Sequence, residues 1–324
     1  MAADPRRFAP IFLMFLCGCG RYADFTLPAP ESSGPRAPFV WEAAPGPVLA
    51  RGDAVDVLNP SVVRFGGEYL NLYSVFDGKH WATALAASAD GVAWKPRGIV
   101  IAPDGYIAAN GSALAAGSEI LYWYETGDPF SIALARSSDG VKWNRGGDPV
   151  LHAGPRGSFD ERGVADPYVI HAGDRFYMFY IGMDRARRQR LGVARSVDGV
   201  RWEKLRSNPV LELGPLGAFD EEGLGEPAVW SSGDSFWMLY TGRDRQEHRK
   251  VGLAKSADGI HWERDLKSPV IAGTEPWDRE VVCDPTVEVT PQGIRVWFGG
   301  GDVARPDENL HGQIGVGWLR SAGQ

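Results

Sequence analysis

Residues 196–202 read SVDGVRW, and the same phrase recurs as SADGVAW at 88–94, SSDGVKW at 137–143 and SADGIHW at 256–262. A second phrase runs in step with it: NPSVV from Asn59, NGSAL from Asn110, DPYVI from Asp166, EPAVW from Glu226 and DPTVE from Asp284. These five anchors are 51, 56, 60 and 58 residues apart. A period of that length, built from strands and turns, predicts radial blades around an axis. It also separates roles. What every repeat shares is expected to be architecture, and what differs between repeats is where chemistry can sit.

The third repeat supplies the template. After Asp166-Pro167, Tyr168-Val169-Ile170 is an apolar strand that Gly173-Asp174 turns. Phe176 to Tyr180 is a second, aromatic strand, a polar loop covers 182–190, and Leu191 to Arg195 is a third. Asp198-Gly199 is a two-residue hairpin signal, because glycine accepts the positive φ that such turns need. Val200 to Leu211 is expected as the outer strand. The fifth repeat stops after Ile314 to Trp318 and lacks that strand. Residues 41–49, WEAAPGPVL, copy the tail of WEKLRSNPVL at 202–211 and are expected to supply it. The fold class is therefore all-β: a five-bladed β-propeller over 38–324, its ring closed by an N-terminal strand. Closure removes exposed sheet edges.

Shared residues follow the same logic. The Trp after each Asp-Gly (Trp94, Trp143, Trp202, Trp262) is expected to pack between blades. An Asp stands six residues before every anchor (Asp53, Asp104, Asp160, Asp220, Asp278) and is expected to hold a turn or an inter-blade hydrogen bond.

The chain has 324 residues and 44% hydrophobic content, enough for a sizeable core. A net charge of −7 argues against a nucleic-acid surface. Arg6 and Arg7 precede an apolar run at 8–19 that is too short for a stable transmembrane anchor. It ends in Leu16-Cys17-Gly18-Cys19, which resembles a bacterial lipobox with Cys19 as the lipidated residue. The expectation is a signal peptide over 1–19, a flexible tether over 20–37, and an exported protein, lipid-anchored or secreted. Cys283 is the one cysteine of the body and reads as an ordinary buried thiol.

Strand alternation puts the anchors and the loops after the second strands on one face, with the Asp-Gly hairpins opposite. Three acids and two amides would then converge on a central funnel, where buried carboxylates raise each other's pKa.

Asp166-Pro167 and Gly225-Glu226-Pro227 resemble the motifs of the five-bladed propeller glycosidases, the arabinanase and xylosidase type (glycoside hydrolase family 43) with its invertase and levanase relatives. The resemblance implies that Glu226 protonates the leaving oxygen and that Asp166 orients this acid and tunes its pKa. The family places an Asp at the start of blade one, where this chain has Asn59. An amide neither takes a proton from water nor attacks a sugar, so a second carboxylate has to come from elsewhere. Asp56 and Asp284 are the candidates. An Asn-Pro start also resembles the mannoside phosphorylase type, in which phosphate is the nucleophile. That chemistry needs cations. The loops after the second strands carry them, Arg185, Arg187, Arg188 and Arg190 in one and Arg243, Arg245, His248, Arg249 and Lys250 in the other. Asp184, Asp244 and Glu247 would equally make these ordinary solvated loops.

Substrate-binding candidates are Asn59, Asn110, Arg185, Arg243 and the pair His80-Trp81, with Trp81 as a stacking platform for a sugar ring. The functional expectation is a glycoside hydrolase-like enzyme, acting as a monomer on an extracellular or periplasmic glycan. The alternatives are a non-catalytic glycan-binding lipoprotein and a phosphate-dependent glycoside phosphorylase. No metal motif or nucleotide loop is visible, and no cofactor is expected.

Overall fold

Aromatic and β-branched runs punctuated by Asp-Gly turns yield strands alone. In the computed structural model, which describes residues 22–30 and 33–322, every regular element is a β-strand. Two precede the repeats, β1 (Tyr22–Ala23) and β2 (Phe39–Ala43). The first repeat is an antiparallel meander of β3 (Asp56–Phe65), β4 (Glu68–Phe76), β5 (Trp81–Ser88) and β6 (Lys95–Ile101). The second has β7 (Ile107–Ala116), β8 (Glu119–Thr126), β9 (Ser131–Ser137) and β10 (Asn144–Arg145). The third has β11 (Gly163–Ala172), β12 (Arg175–Met183), β13 (Gln189–Ser196) and β14 (Glu203–Leu205). The fourth has β15 (Gly223–Ser232), β16 (Ser235–Arg243), β17 (Arg249–Ser256) and β18 (Glu263–Arg264). The fifth has β19 (Val281–Thr290), β20 (Gly293–Gly301) and β21 (Gln313–Ser321).

The fourth partner of that last meander is β2, antiparallel to β21 with Phe39 opposite Ser321 and Ala43 opposite Gly317. A bridge from Leu49 to Ile314 continues the pairing, as Leu211 to Leu191 and Ile271 to Val251 do in the third and fourth repeats. The copied sequence thus occupies the copied position. Hydrogen bonds join the strands into sheets of thirteen and eight, neither closed on itself. The first strands lie side by side, β3 on β7, β7 on β11, β11 on β15, β15 on β19, and β19 on β3.

Each Asp-Gly turn is wired identically. Asp198 Oδ1 accepts the Val200 and Arg201 N–H groups at 3.0 and 2.8 Å, and Ser196 Oγ accepts the Gly199 N–H at 2.9 Å. The turn then docks on the preceding repeat, where Trp123 Nε1 donates to Gly199 O at 2.8 Å and Trp202 packs edge-on against Trp123. Trp262 makes the equivalent edge contact with Phe179, whereas Trp143 packs on Tyr122 of its own repeat. In three repeats the Asp six residues before the anchor pairs with a cation two residues after the Trp of the turn, Asp160 with Lys204, Asp220 with Arg264 and Asp104 with Arg145, whereas Asp278 accepts the Thr274 and Glu275 N–H groups.

Three expectations need correction. The outer strand of the third repeat is shorter than Val200 to Leu211, because the Asp198 turn holds residues 198–201 and the chain turns again at Arg206-Ser207. The Asn208 side chain replaces the missing ladder bonds, accepting the Val193 N–H and donating to Val193 O. Each first strand begins three residues before its anchor, not at it. The described part of the expected tether is also packed. β1 runs parallel to β14, the Leu27 N–H donates to Asp258 O at 2.9 Å, and Phe25 and Leu27 are buried beside Tyr177 and Phe179. Burying two such side chains contributes roughly 1.5–3 kcal/mol each. The signal peptide over 1–19 and Cys19 lie outside the described residues.

Candidate functional site

Every first strand breaks its ladder at the anchor. The register shifts between Leu58 and Ser61, Ala109 and Ser112, Ala165 and Tyr168, Gly225 and Ala228, and Cys283 and Thr286. Within each bulge the anchor has positive φ: 47° at Asn59, 51° at Asn110, 44° at Asp166, 39° at Glu226 and 53° at Asp284. Asn and Asp tolerate this region, and Glu rarely enters it. Such a residue costs about 1–3 kcal/mol and persists where surrounding structure holds it. The bulge re-aims the anchor side chain, and all five anchors line one cavity of about 30 Å³. That space suits one or two waters and is too small for a sugar ring.

The backbone N–H groups of Asn110, Asp166 and Asp284 are met from the preceding second strand. One position there follows the ring of Tyr73, Tyr124, Tyr180, Tyr240 or Phe298, and it holds Ser74, Glu125, Ile181, Thr241 and Gly299 in turn. Ser74 Oγ accepts the Asn110 N–H at 2.9 Å, and Thr241 Oγ1 accepts that of Asp284 at 3.3 Å. Glu125 uses its carboxylate, which the Asp166 N–H stabilises and to which Asn110 Nδ2 donates at 3.2 Å. At Gly299 the partner is Asp284 itself, whose Oδ2 accepts the Asn59 N–H at 3.1 Å. A Cβ on Gly299 would sit 2.7 Å from that same Oδ2 and 2.7 Å from Leu58 Cδ2. Gly299→Ala is therefore expected to destabilise by about 1–3 kcal/mol. A denaturant melt within about 0.5 kcal/mol of wild type would show that Asp284 gives way freely.

The structure brings together Asn59, Asn110, Asp166, Glu226 and Asp284, and adds Glu125, which the sequence reading missed. Asp166 Oδ1 and Glu226 Oε2 are buried with no hydrogen-bond partner among the described residues. Buried polar atoms are otherwise paired almost without exception.

Five expected site residues are placed elsewhere. Asp56 is fully buried and accepts the N–H groups of Asn309, Leu310 and Gly312 at 2.7, 2.9 and 2.8 Å, so it fastens the 302–312 loop and is not a base. Trp81 is only 5% exposed and stacks on Phe76 at 5.0 Å, which removes it as a sugar platform, and His80 beside it is an exposed turn residue bonded to Asp77. Arg185 pairs with Glu161 at 3.0 Å and Arg243 with Glu247 at 2.7 Å, and neither lines the cavity. The cation that acts on the carboxyls is Arg249, at the start of β17. Its guanidinium donates to Pro306 O, and Tyr106 donates to Glu308, so both hold the 302–312 loop beside the cavity.

Burial dominates the electrostatics. It pushes Asp166 well above the usual carboxylate range, with Glu125, Glu226 and Asp284 pushing further and Arg249 opposing. Burial raises Glu125 to about 7, against the pull of Asn110 and the Asp166 N–H. Asp284 is raised to about 7 by burial and the Glu226 charge, against the Cys283 S–H and the Asn59 N–H. In the unfolded chain these groups ionise near 4. Their stabilising contribution is complete below that pH and is lost as pH rises through about 7, because the folded state then binds the extra protons. Folding stability is expected to decline between about pH 4 and 7, and Glu125→Gln should flatten the decline. Denaturant midpoints across this range test it, and a rise over the same window in both proteins would contradict it.

The model for the glycosyl hydrolases family 32 N-terminal domain matches residues 62–209. The uncharacterized protein Rv1502 of Mycobacterium tuberculosis is 31% identical over 162 residues, covering 47% of this chain and 52% of that protein. The chain thus spans about half the length of the curated relatives it matches. A β-1,2-mannobiose phosphorylase from Listeria innocua, solved with β-1,2-mannobiose, superposes with a TM-score of 0.69 at 12% identity, over 87% of this chain and 97% of that one. The Bombyx mori family 32 β-fructofuranosidase gives 0.62 at 16% identity, over 86% and 61%. The matched domain model and these folds fall in the five-bladed propeller glycosidase superfamily, the one that Asp166-Pro167 and Gly225-Glu226-Pro227 resemble.

Proposed function

We propose that the chain is a glycoside hydrolase-type enzyme, that its repeats are five blades of a ring closed by β2, and that its substrate is a glycan met after export. The observation that carries the reading is the pair of unpartnered carboxyl oxygens, Asp166 Oδ1 and Glu226 Oε2, at a cavity lined by all five anchors. Glu226 acts as general acid and gives its proton to the glycosidic oxygen, while Asp166 orients it. With Asp56 committed to the loop, Asp284 is the second carboxyl, and it takes a proton from the attacking water in its ionised form. The small cavity keeps the sugar at its mouth, where the acid meets the linking oxygen.

Phosphorolysis is the second reading. Asn59 stands where a base would, and Arg249 is a guanidinium close enough to act on Asp166 and Asp284, as phosphate binding would require. The Listeria fold neighbour is a phosphorylase by title. A glycan panel assayed with and without phosphate separates the cases. Release without phosphate supports hydrolysis, and release only with phosphate supports phosphorolysis. Binding with no turnover in either would leave a glycan-binding lipoprotein.

A further inference from the structure

At the position after the second-strand ring, Ser74 and Thr241 meet the next anchor's N–H with a single hydroxyl, and Ile181 and Gly299 offer no side-chain acceptor at all. Glu125 goes beyond either arrangement. It places a whole carboxyl, 4% exposed, where an unpaired charge is expensive. Of the charges acting on Asp166, Glu125 is the strongest, ahead of Glu226 and Asp284. Asn110 of β7 donates to Glu125, Glu226 of β15 and Asp307 of the 302–312 loop face it, and Asp284 of β19 and Arg249 of β17 act on Asp166. Four carboxyls beside one guanidinium in a dry site do not all ionise.

We propose that Glu125 is a positioning residue that shares one proton with Asp166, so that the pair carries a single negative charge beside Glu226 throughout turnover. The pair keeps its proton when Glu226 protonates the leaving oxygen, and no bond of the pair is made or broken. This deepens the reading of Glu226 as the acid and rests on it. The shared proton supplies what a Ser would not: it fixes the charge next to the acid as well as the backbone.

Two variants test it, Glu125→Gln, which keeps the shape, and Glu125→Ser, which keeps only the acceptor found at Ser74. The first readout needs no turnover. In ¹³C-carboxyl NMR of the wild-type protein, one Glu is expected to titrate near 7, to vanish in Glu125→Gln, and to shift by about one pH unit or more in Asp166→Asn. The second readout is the pH profile of kcat. Its alkaline limb should move down by about one unit in both variants, because a negative charge beside the acid has been removed, with kcat at the optimum falling less than about tenfold. A purely structural Glu125 would change KM or the melting temperature and leave the limb in place, which would overturn the proposal. A Glu125 resonance that titrates near 4 would overturn it as well. If no glycan is turned over but the NMR coupling is present, the reading of Glu226 fails while the shared proton stands.

Discussion

Glu226→Gln is expected to reduce kcat by about 10³-fold while glycan affinity stays within about threefold, the usual scale of a lost general acid. The amide has the shape of the acid and keeps the bulge intact, since Glu and Gln bear the same backbone strain at φ 39°. What it lacks is a transferable proton. The loss should depend on the leaving group. A nitrophenyl glycoside, whose phenolate departs without help, should lose about tenfold or less, and a sugar leaving group should lose the full amount. Retention of more than a tenth of wild-type kcat on a glycan would remove Glu226 from the acid role. Equal losses on both substrates would point to misplacement of the sugar. A thermal melt accompanies the measurement, because Oε2 already lacks a partner and the substitution should leave stability nearly unchanged.

The repeats made most of the architecture legible. Identical local wiring recurs at every Ser-x-Asp-Gly turn, so a phrase such as SVDGVRW reports a hydrogen-bond pattern and its docking Trp. The N-terminal strand was legible for the same reason: WEAAPGPVL repeats the residues that pair Leu211 with Leu191. Anchors were found as a pattern, but their bulges were not, although a recurring Asn or Asp before Pro is a fair signal of a left-handed residue. Glu125 lies one residue past the aromatic run Tyr122-Trp123-Tyr124 and outside both repeated phrases, so the pattern passes over it. Aligning the second strands would have shown an acid where Ser, Ile, Thr and Gly stand. Asp56 and Trp81 were misassigned because sequence distance to the anchor does not report burial. Asp56 is consumed by a loop about 250 residues away, and Trp81 by Phe76 beneath it. The tether composition is Pro-rich and polar, yet Phe25 and Leu27 are enough to pin it to the third and fourth repeats.

Lys204→Met is expected to destabilise the fold by about 3–5 kcal/mol, the cost of leaving a buried charge without its partner. Lys204 and Asp160 are 5% and 1% exposed, and burial pushes the ammonium below its usual pKa while Asp160 pulls it back. The ammonium also donates to His152 O at 2.6 Å. Met fills the same space and restores neither bond. Asp160 would keep the Tyr180 hydroxyl at 3.2 Å and Ser158 Oγ at 2.7 Å, which stabilise a carboxylate only in part. The second repeat provides the control. Arg145 pairs with Asp104 at 2.8 Å, but that Asp is 86% exposed, so Arg145→Met should cost under about 1 kcal/mol. The pair at the same place in the frame is thus expected to differ severalfold in strength, chiefly through burial. Adding Asp160→Asn to Lys204→Met removes the stranded charge and should recover most of the loss. Denaturant unfolding of the variants decides it, and a Lys204→Met cost no larger than that of Arg145→Met would mean that water reaches Asp160. Asp160 also leads directly into the strand that carries Asp166. A Lys204→Met protein that folds but has lost turnover would then show that this outer pair holds the acidic cavity in register.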